Sequence, residues 1–165
     1  MAAWSHRAAD DGLARRIAAA LGVSEPLAHA LARAFADEAE AERHLRPQLA
    51  HVSDPFAVGG LREAAERIVR ACREGERIAV LGDYDVDGVS STAMLVHFLR
   101  RLGSAPEAFV PRRLEEGYGL SMAALERALA EARPSLFIAL DCGTNSAAEV
   151  DRLRSAGVDV LVVDH

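Results

Sequence analysis

Residues 76–92 read ERIAVLGDYDVDGVSST. Ile78 to Gly82 form an apolar run, Asp83, Asp85 and Asp87 alternate behind it, and Gly88 leads into Ser90, Ser91 and Thr92. The run has the length and content of a buried strand, and a glycine followed by small hydroxyl residues is suited to opening a helix. Three alternating carboxylates at the end of a strand read as part of a metal site.

Downstream the pattern keeps alternating. It predicts a strand at Ile78–Gly82, a helix from about Val89 to Leu102, a strand at Ala108–Pro111 and a helix at Ser121–Ala132. A strand at Leu136–Asp141, a helix at Ser146–Ala156 and a strand at Val158–Asp164 complete the series. Strand–helix alternation predicts an α/β fold with a parallel sheet and flanking helices, and the near-continuous apolar strands suit a sheet covered on both faces.

Upstream, Leu61–Arg73 is helical in period, with Gly75 placed to cap it, and RPQLAHVSDPFAVGG (46–60) has the prolines and glycines of a linker. Before it, Leu13, Ile17, Ala20 and Leu21 make one apolar stripe and Leu27, Ala30, Leu31, Ala34 and Phe35 a second. The charged run DEAEAERHL (37–45) suits a third, short helix with a solvated face. The expected organisation is a helical N-terminal region with its linker over 1–60 and an α/β part over 61–165.

Composition narrows the function. The chain has 165 residues, half of them apolar, enough for one domain and a smaller appendage. A net charge of −6 argues against sequence-blind phosphate binding by the segment as a whole. No run reaches the roughly 18 apolar residues of a membrane span, and MAAWSHRAADDG lacks the order of a secretory signal, so a cytoplasmic location is expected. Cys72 and Cys142 are expected to be unpaired thiols, with Cys142 packing rather than attacking.

Ligands of open parallel sheets collect outside the carboxyl ends of the strands. Asp85 and Asp87 follow the first predicted strand, Asp141 ends the third, and Asp164 and His165 end the fourth. Carboxylates gathered without cations would repel one another, whereas oxygen and imidazole ligands suit Mn²⁺ or Mg²⁺. Asp83 alone also suits a turn or a cap. Gly88 is read as allowing a tight turn and close approach to a ligand. Ser90, Ser91 and Thr92 at a helix N-terminus suit a phosphate, and ordinary capping accounts for them equally well. The polar loop PRRLEEGYGLS (111–121) carries Arg112, Arg113 and Tyr118 toward the same edge, where arginine suits a phosphate and tyrosine a base.

These residues resemble a known family. LGDYDVDGVSSTA is similar to the first motif of the DHH phosphoesterase superfamily, ALDCGTN to its second, and VVDH to the opening of the Asp-His-His motif that names it. Within the superfamily the likeness is to the RecJ-like branch of single-stranded-DNA-specific exonucleases, and HLRPQLAHVSDPF, LREAAERI and PRRLEEGYGLS extend it from about residue 40 to the end. The resemblance implies a DHH-type, Rossmann-like domain. It further implies that Asp85, Asp87, Asp141 and His165 are catalytic metal ligands, with Asp83 and Asp164 as supporting acids. Arg113 and Tyr118 would meet the substrate. The implied chemistry is two-metal hydrolysis of phosphodiesters, with Mn²⁺ or Mg²⁺ as cofactor, degrading single-stranded DNA from the 5′ end in DNA repair and recombination. Single-strand-binding protein and a helicase are the implied partners.

The chain stops at His165, before the second histidine, the later aspartate motif and the C-terminal modules of the family, so a fragment with little activity of its own is expected. Two alternatives stand beside this reading. A DHH phosphoesterase acting on short oligoribonucleotides or cyclic dinucleotides tends to carry His-x-x-Pro-Asp where this chain has LGDYD (81–85). A non-catalytic α/β interaction module has no reason to keep mutually repulsive acids.

Overall fold

The computed structural model describes residues 9–164. The chain divides into two compact units, Met1–Ala57 and Val58–His165.

The first unit contains helices α1 (Asp11–Leu21), α2 (Glu25–Ala34) and α3 (Glu38–Leu45). Asp10 caps α1 by accepting from the N–H groups of Gly12 and Leu13, and Gly22 ends it at φ 67°. Asp37 caps α3 through the Glu40 N–H. The three helices share a core of Leu13, Ala14, Ile17, Ala28, Leu31 and Ala41. The segment read as a linker contains two 3₁₀ turns, Leu49–His51 and Pro55–Ala57.

The second unit is the α/β part: α4 (Leu61–Glu74), β1 (Ile78–Gly82), α5 (Val86–Arg101), β2 (Glu107–Phe109), α6 (Met122–Ala132), β3 (Leu136–Leu140), α7 (Ala147–Ser155) and β4 (Asp159–Val163). All strand pairs are parallel, in the order β2-β1-β3-β4. Side chains alternate across the central strands as the pleat requires. Ile78, Val80, Leu136 and Ile138 pack with Ala71, Val96 and Leu99 of α4 and α5 on one face. Ala79, Leu81, Phe137 and Ala139 pack with Leu125, Ala128 and Leu153 of α6 and α7 on the other. The strand order reverses direction between β1 and β3, so the crevice that receives ligands in such sheets opens between their carboxyl ends. Asp83 and Asp141 stand at those two ends.

Three expectations need correction. Only β1 and β3 are buried along their whole length; β2 is a three-residue edge strand and β4 is half exposed, because each has a single neighbour among the described residues. Helix α5 begins at Val86 rather than near Val89, since Asp85 takes the N-cap position and its Oδ1 accepts the Gly88 N–H at 2.9 Å. Gly88 therefore lies inside the first helical turn, and what approaches it is protein. A Cβ there would sit 2.4 Å from the Asp83 carbonyl oxygen, and one on Gly82 would sit 2.5 Å from the Gly88 carbonyl oxygen. The last turn of β1 and the first turn of α5 touch backbone to backbone.

The loop between β2 and α6 is held by one ion pair. Arg127 of α6 donates from Nε and Nη2 to the two carboxylate oxygens of Glu116, at 2.5 and 2.9 Å, and again from Nη2 to the Val110 carbonyl at 3.1 Å. Its guanidinium also lies 5.2 Å over the Phe109 ring. Glu116 accepts the Arg112 N–H at 2.8 Å as well. The guanidinium first, aided by that N–H, holds the Glu116 carboxyl down at about 2, from an ordinary 4.5. At the opposite edge of the sheet Arg67 bridges Glu76 and Asp159, joining α4 to the chain just before β1 and to β4.

Two outcomes follow from these contacts. Gly88→Ala should lower the unfolding free energy by about 3 kcal/mol or more in chemical denaturation, against the roughly 1 kcal/mol that alanine gains over glycine in a helix. Gly59→Ala, with open space around the added carbon, should change it by less than about 0.5 kcal/mol. Glu116 has a folded-state pKa below its unfolded one, so its contribution is present above 4.5 and is lost as pH falls toward about 2. The stability difference between wild type and Glu116→Gln should shrink across that window; a difference independent of pH would contradict the assignment.

Candidate metal centre

The site forms where β1 ends. Asp83 is completely buried. Its Oδ1 accepts the Tyr84 N–H at 2.8 Å, and its Oδ2, also buried, makes no hydrogen bond of ordinary geometry. A buried carboxylate oxygen without a partner costs several kcal/mol relative to water, and native structures tolerate it where an ion or reacting group completes it. Among the described residues, Thr92 Oγ1, beside Gly82, is the other buried side-chain polar atom in this condition.

The neighbouring acids come from three chain segments. Asp85 is exposed and commits Oδ1 to the helix cap, which leaves its second oxygen for other work. Asp87 lies exposed in the first turn of α5. Asp141 follows β3 in a left-handed conformation, φ 59°, and its N–H donates to the Val163 carbonyl at 2.8 Å, which ties the turn to β4. Asp is one of the few residues other than glycine that adopt this conformation at modest cost. Asp164 accepts the Thr144 N–H at 3.0 Å. Asp141 and Asp164 line one cavity of about 240 Å³ together with Tyr118, Cys142 and Ser146.

Two groups register how closely these charges gather. The Tyr118 phenol is pushed up to about 12, first by hydrogen bonding to the Asp83 carboxylate and then by its charge, with Asp85 and Asp141 adding to the effect. It stays protonated at neutral pH and can only donate to a carboxylate. The Cys142 thiol is pushed up to about 11 by burial first, then by the charges of Asp83, Asp164 and Asp141. A protonated, buried thiol agrees with packing rather than nucleophilic attack. Among the described residues, however, no three Asp, Glu, His or Cys side chains stand close enough to form a ready cation cage. His165 lies outside the described residues.

The donor set fits a hard divalent cation: carboxylate oxygens, one of them buried and unsatisfied, at the switch point of a parallel sheet. Asp83, the acid most easily read as a cap, is the buried one, and Asp85 does the capping. Ser90 and Ser91, expected at the very start of a helix, stand further in, because α5 starts at Val86. They lie in the second turn of α5, where Ser90 Oγ donates to the Val86 carbonyl and Ser91 Oγ to that of Gly88.

The 111–121 loop does reach this end of the sheet. Tyr118 meets Tyr84 edge to face with ring centroids 5.6 Å apart, and the Arg113 guanidinium lies 5.1 Å over the Tyr84 ring. Tyr84 was not singled out by sequence reasoning; its place between Asp83 and Asp85 was the available signal. Glu116 and Arg127 were missed too, since they are 11 residues apart and only the fold brings them together.

Comparison with known proteins agrees with this architecture. The profile of the DHH family, N-terminal domain, matches residues 77–165. The chain is 34% identical over 163 residues to the single-stranded-DNA-specific exonuclease RecJ of Bacillus subtilis, covering 98% of this chain and 21% of that protein. To the RecJ of Thermus thermophilus it is 47% identical over 106 residues, covering 64% of this chain and 16% of the relative. The crystal structure of the Thermus thermophilus RecJ in complex with Mn²⁺ is similar with a TM-score of 0.63 and 38% identity, over 93% of this chain and 21% of that one. The chain thus spans about a fifth of the length of these relatives. With a four-stranded parallel sheet, an acidic switch point and a profile match over more than half its length, the chain belongs to the DHH family.

Proposed function

We propose that this chain supplies part of the active site of a metal-dependent phosphodiesterase that degrades single-stranded DNA from its 5′ end. The observation that carries the reading is the fully buried Asp83 carboxylate, whose Oδ2 makes no hydrogen bond of ordinary geometry, set at the ligand crevice of the sheet. We extend it to the setting that the family resemblance implies: DNA repair and recombination in the cytoplasm, alongside single-strand-binding protein and a helicase.

Asp85, Asp87, Asp141 and His165 would hold Mn²⁺ or Mg²⁺, with Asp83 and Asp164 in support. When bound, two such cations supply water activation and neutralise charge growing on the phosphate and the leaving oxygen. The chain's own residues supply position. The left-handed turn at Asp141 brings that carboxylate to the crevice from β3 while Asp85 comes from the start of α5. Arg113 carries a planar fork of donors suited to a phosphate oxygen pair, and it makes no ion pair among the described residues. Tyr118 and Tyr84 present an aromatic surface on which a base can stack. The net charge of −6 leaves substrate attraction to local groups of this kind, because the chain as a whole repels a polyanion.

Asp83→Asn should raise the thermal midpoint in the presence of a chelator, by removing a buried carboxylate that then has no cation beside it, and should weaken Mn²⁺ binding in calorimetry by about tenfold or more. Stabilisation without any loss of Mn²⁺ affinity would detach Asp83 from the metal. Asp141→Asn keeps a residue that tolerates left-handed backbone and removes the charge. Assayed in the longest product of the reading frame that contains this sequence, it should leave the thermal midpoint within a few degrees and lower cleavage of 5′-labelled single strands by about 10³-fold or more. Retained cleavage would show the site to be misplaced, and cleavage confined to di- and trinucleotides would favour a small-nucleotide phosphodiesterase.

A further inference from the structure

We infer that Glu116 and Arg127 form a positioning pair that sets Arg113 and Tyr118 against the substrate; the inference rests on the phosphodiesterase reading above. Its basis is a partly buried ion pair that anchors an otherwise exposed loop. The Glu116 and Arg127 side chains are 7% and 17% exposed, while Arg112, Arg113, Leu114, Glu115 and Tyr118 are all exposed. An ion pair withdrawn from water is a poor source of stability compared with apolar side chains of similar volume, and one only partly withdrawn still fixes geometry through its two-pronged contact.

The geometry is specific. Arg127 is itself fixed from three sides, by the Phe109 ring, the Val110 carbonyl and the Glu116 carboxylate. Glu116 is fixed from two, because its carboxylate takes the Arg112 N–H while its own N–H donates to the Arg112 carbonyl at 2.7 Å. Residues 112–116 are thereby closed into one turn, with Arg113 at its start. Gly117 and Gly119 follow at φ 86° and 62°, so the direction of Tyr118 is set by two left-handed glycines that begin from the fixed Glu116. The two ends of the turn then meet on one ring: Arg113 lies over Tyr84 and Tyr118 meets its edge. Arg112 pairs with Glu115 within the loop, at 3.4 Å, which leaves Arg113 as the loop arginine without a carboxylate partner among the described residues.

A residue that orients a substrate-binding loop affects ground-state and transition-state binding alike, so its loss falls on KM rather than kcat. The test is a double-mutant cycle in the longest product of the reading frame, with single-stranded DNA as substrate and Mn²⁺ present. Glu116→Gln alone should raise KM roughly tenfold with kcat changed by less than about threefold. In an Arg113→Ala background the same change should raise KM by less than about twofold, because the residue it positions is already gone. Arg127→Met, which keeps an unbranched apolar side chain but removes the guanidinium, should behave as Glu116→Gln does. Arg127→Lys should recover only part of the loss, since an ammonium cannot reproduce the two-pronged contact. Calorimetric Mn²⁺ affinity should match wild type in the Glu116 and Arg127 variants. Equal KM effects in both backgrounds, or a fall in kcat with KM unchanged, would overturn the inference while leaving the phosphodiesterase reading in place. A wild-type protein that binds Mn²⁺ but cleaves no DNA would overturn both.

Discussion

The α/β unit depends on one close approach, that of the end of β1 to the first turn of α5. Carbonyl and amide groups of Asp83 lie where a Cβ of Gly88 would be, and the Gly88 carbonyl lies where a Cβ of Gly82 would be. Because the crowding atoms are backbone, no rotamer change can relieve them. The approach has two consequences for the site. It buries Asp83 under the helix, and it obliges the chain to turn so sharply that Asp85 becomes the cap. One acid is thereby withdrawn from water while another is left in it. Acids of opposite exposure, two residues apart, follow from the absence of two side chains.

The sheet continues that logic. Since β1 and β3 lie side by side at the point where the strand order reverses, the residue after each strand faces a common crevice. Asp141 reaches it through a left-handed turn held by the Val163 carbonyl, so β4 supports a carboxylate it does not carry. A buried charge and a left-handed non-glycine residue both cost stability, and both occur at the crevice. That stability is recovered in the two apolar layers, where Phe137, Leu81, Leu125 and Leu153 are fully buried on one face and Ile78, Val80, Leu99 and Ile138 nearly or fully so on the other.

Much of this was legible in the sequence because periodicity and turn chemistry report local structure. The apolar runs at 78–82 and 136–140, the caps at Gly22 and Gly75 and the alternation of strands with helices all appear as expected. The start of α5 was misjudged because Asp85, Asp87 and Gly88 satisfy both a loop and a helix terminus by composition. What decides between them is the backbone contact with Asp83, a tertiary fact. The same limit applied to Ser90 and Ser91, whose hydroxyls serve their own helix. The loop was recognised as polar and arginine-bearing, but nothing local says that the Glu116 side chain is drawn in from solvent, because its partner Arg127 belongs to another element. Strand edges were equally out of reach, since an apolar run does not state how many neighbours it will have.

The two sides of the sheet are not alike. At one side β2 spans only Glu107–Phe109, too short to offer a useful row of amides and carbonyls. At the other, β4 runs for five residues with Val162 and Val163 partly exposed, and among the described residues it pairs with β3 alone. Its charge lies at the beginning, where Asp159 is tied to Arg67, rather than along the outward row. Of the two flanks formed by the described residues, that of β2 is the shorter and that of β4 the longer and more apolar, so β4 has both the backbone groups and the side chains to take a further strand.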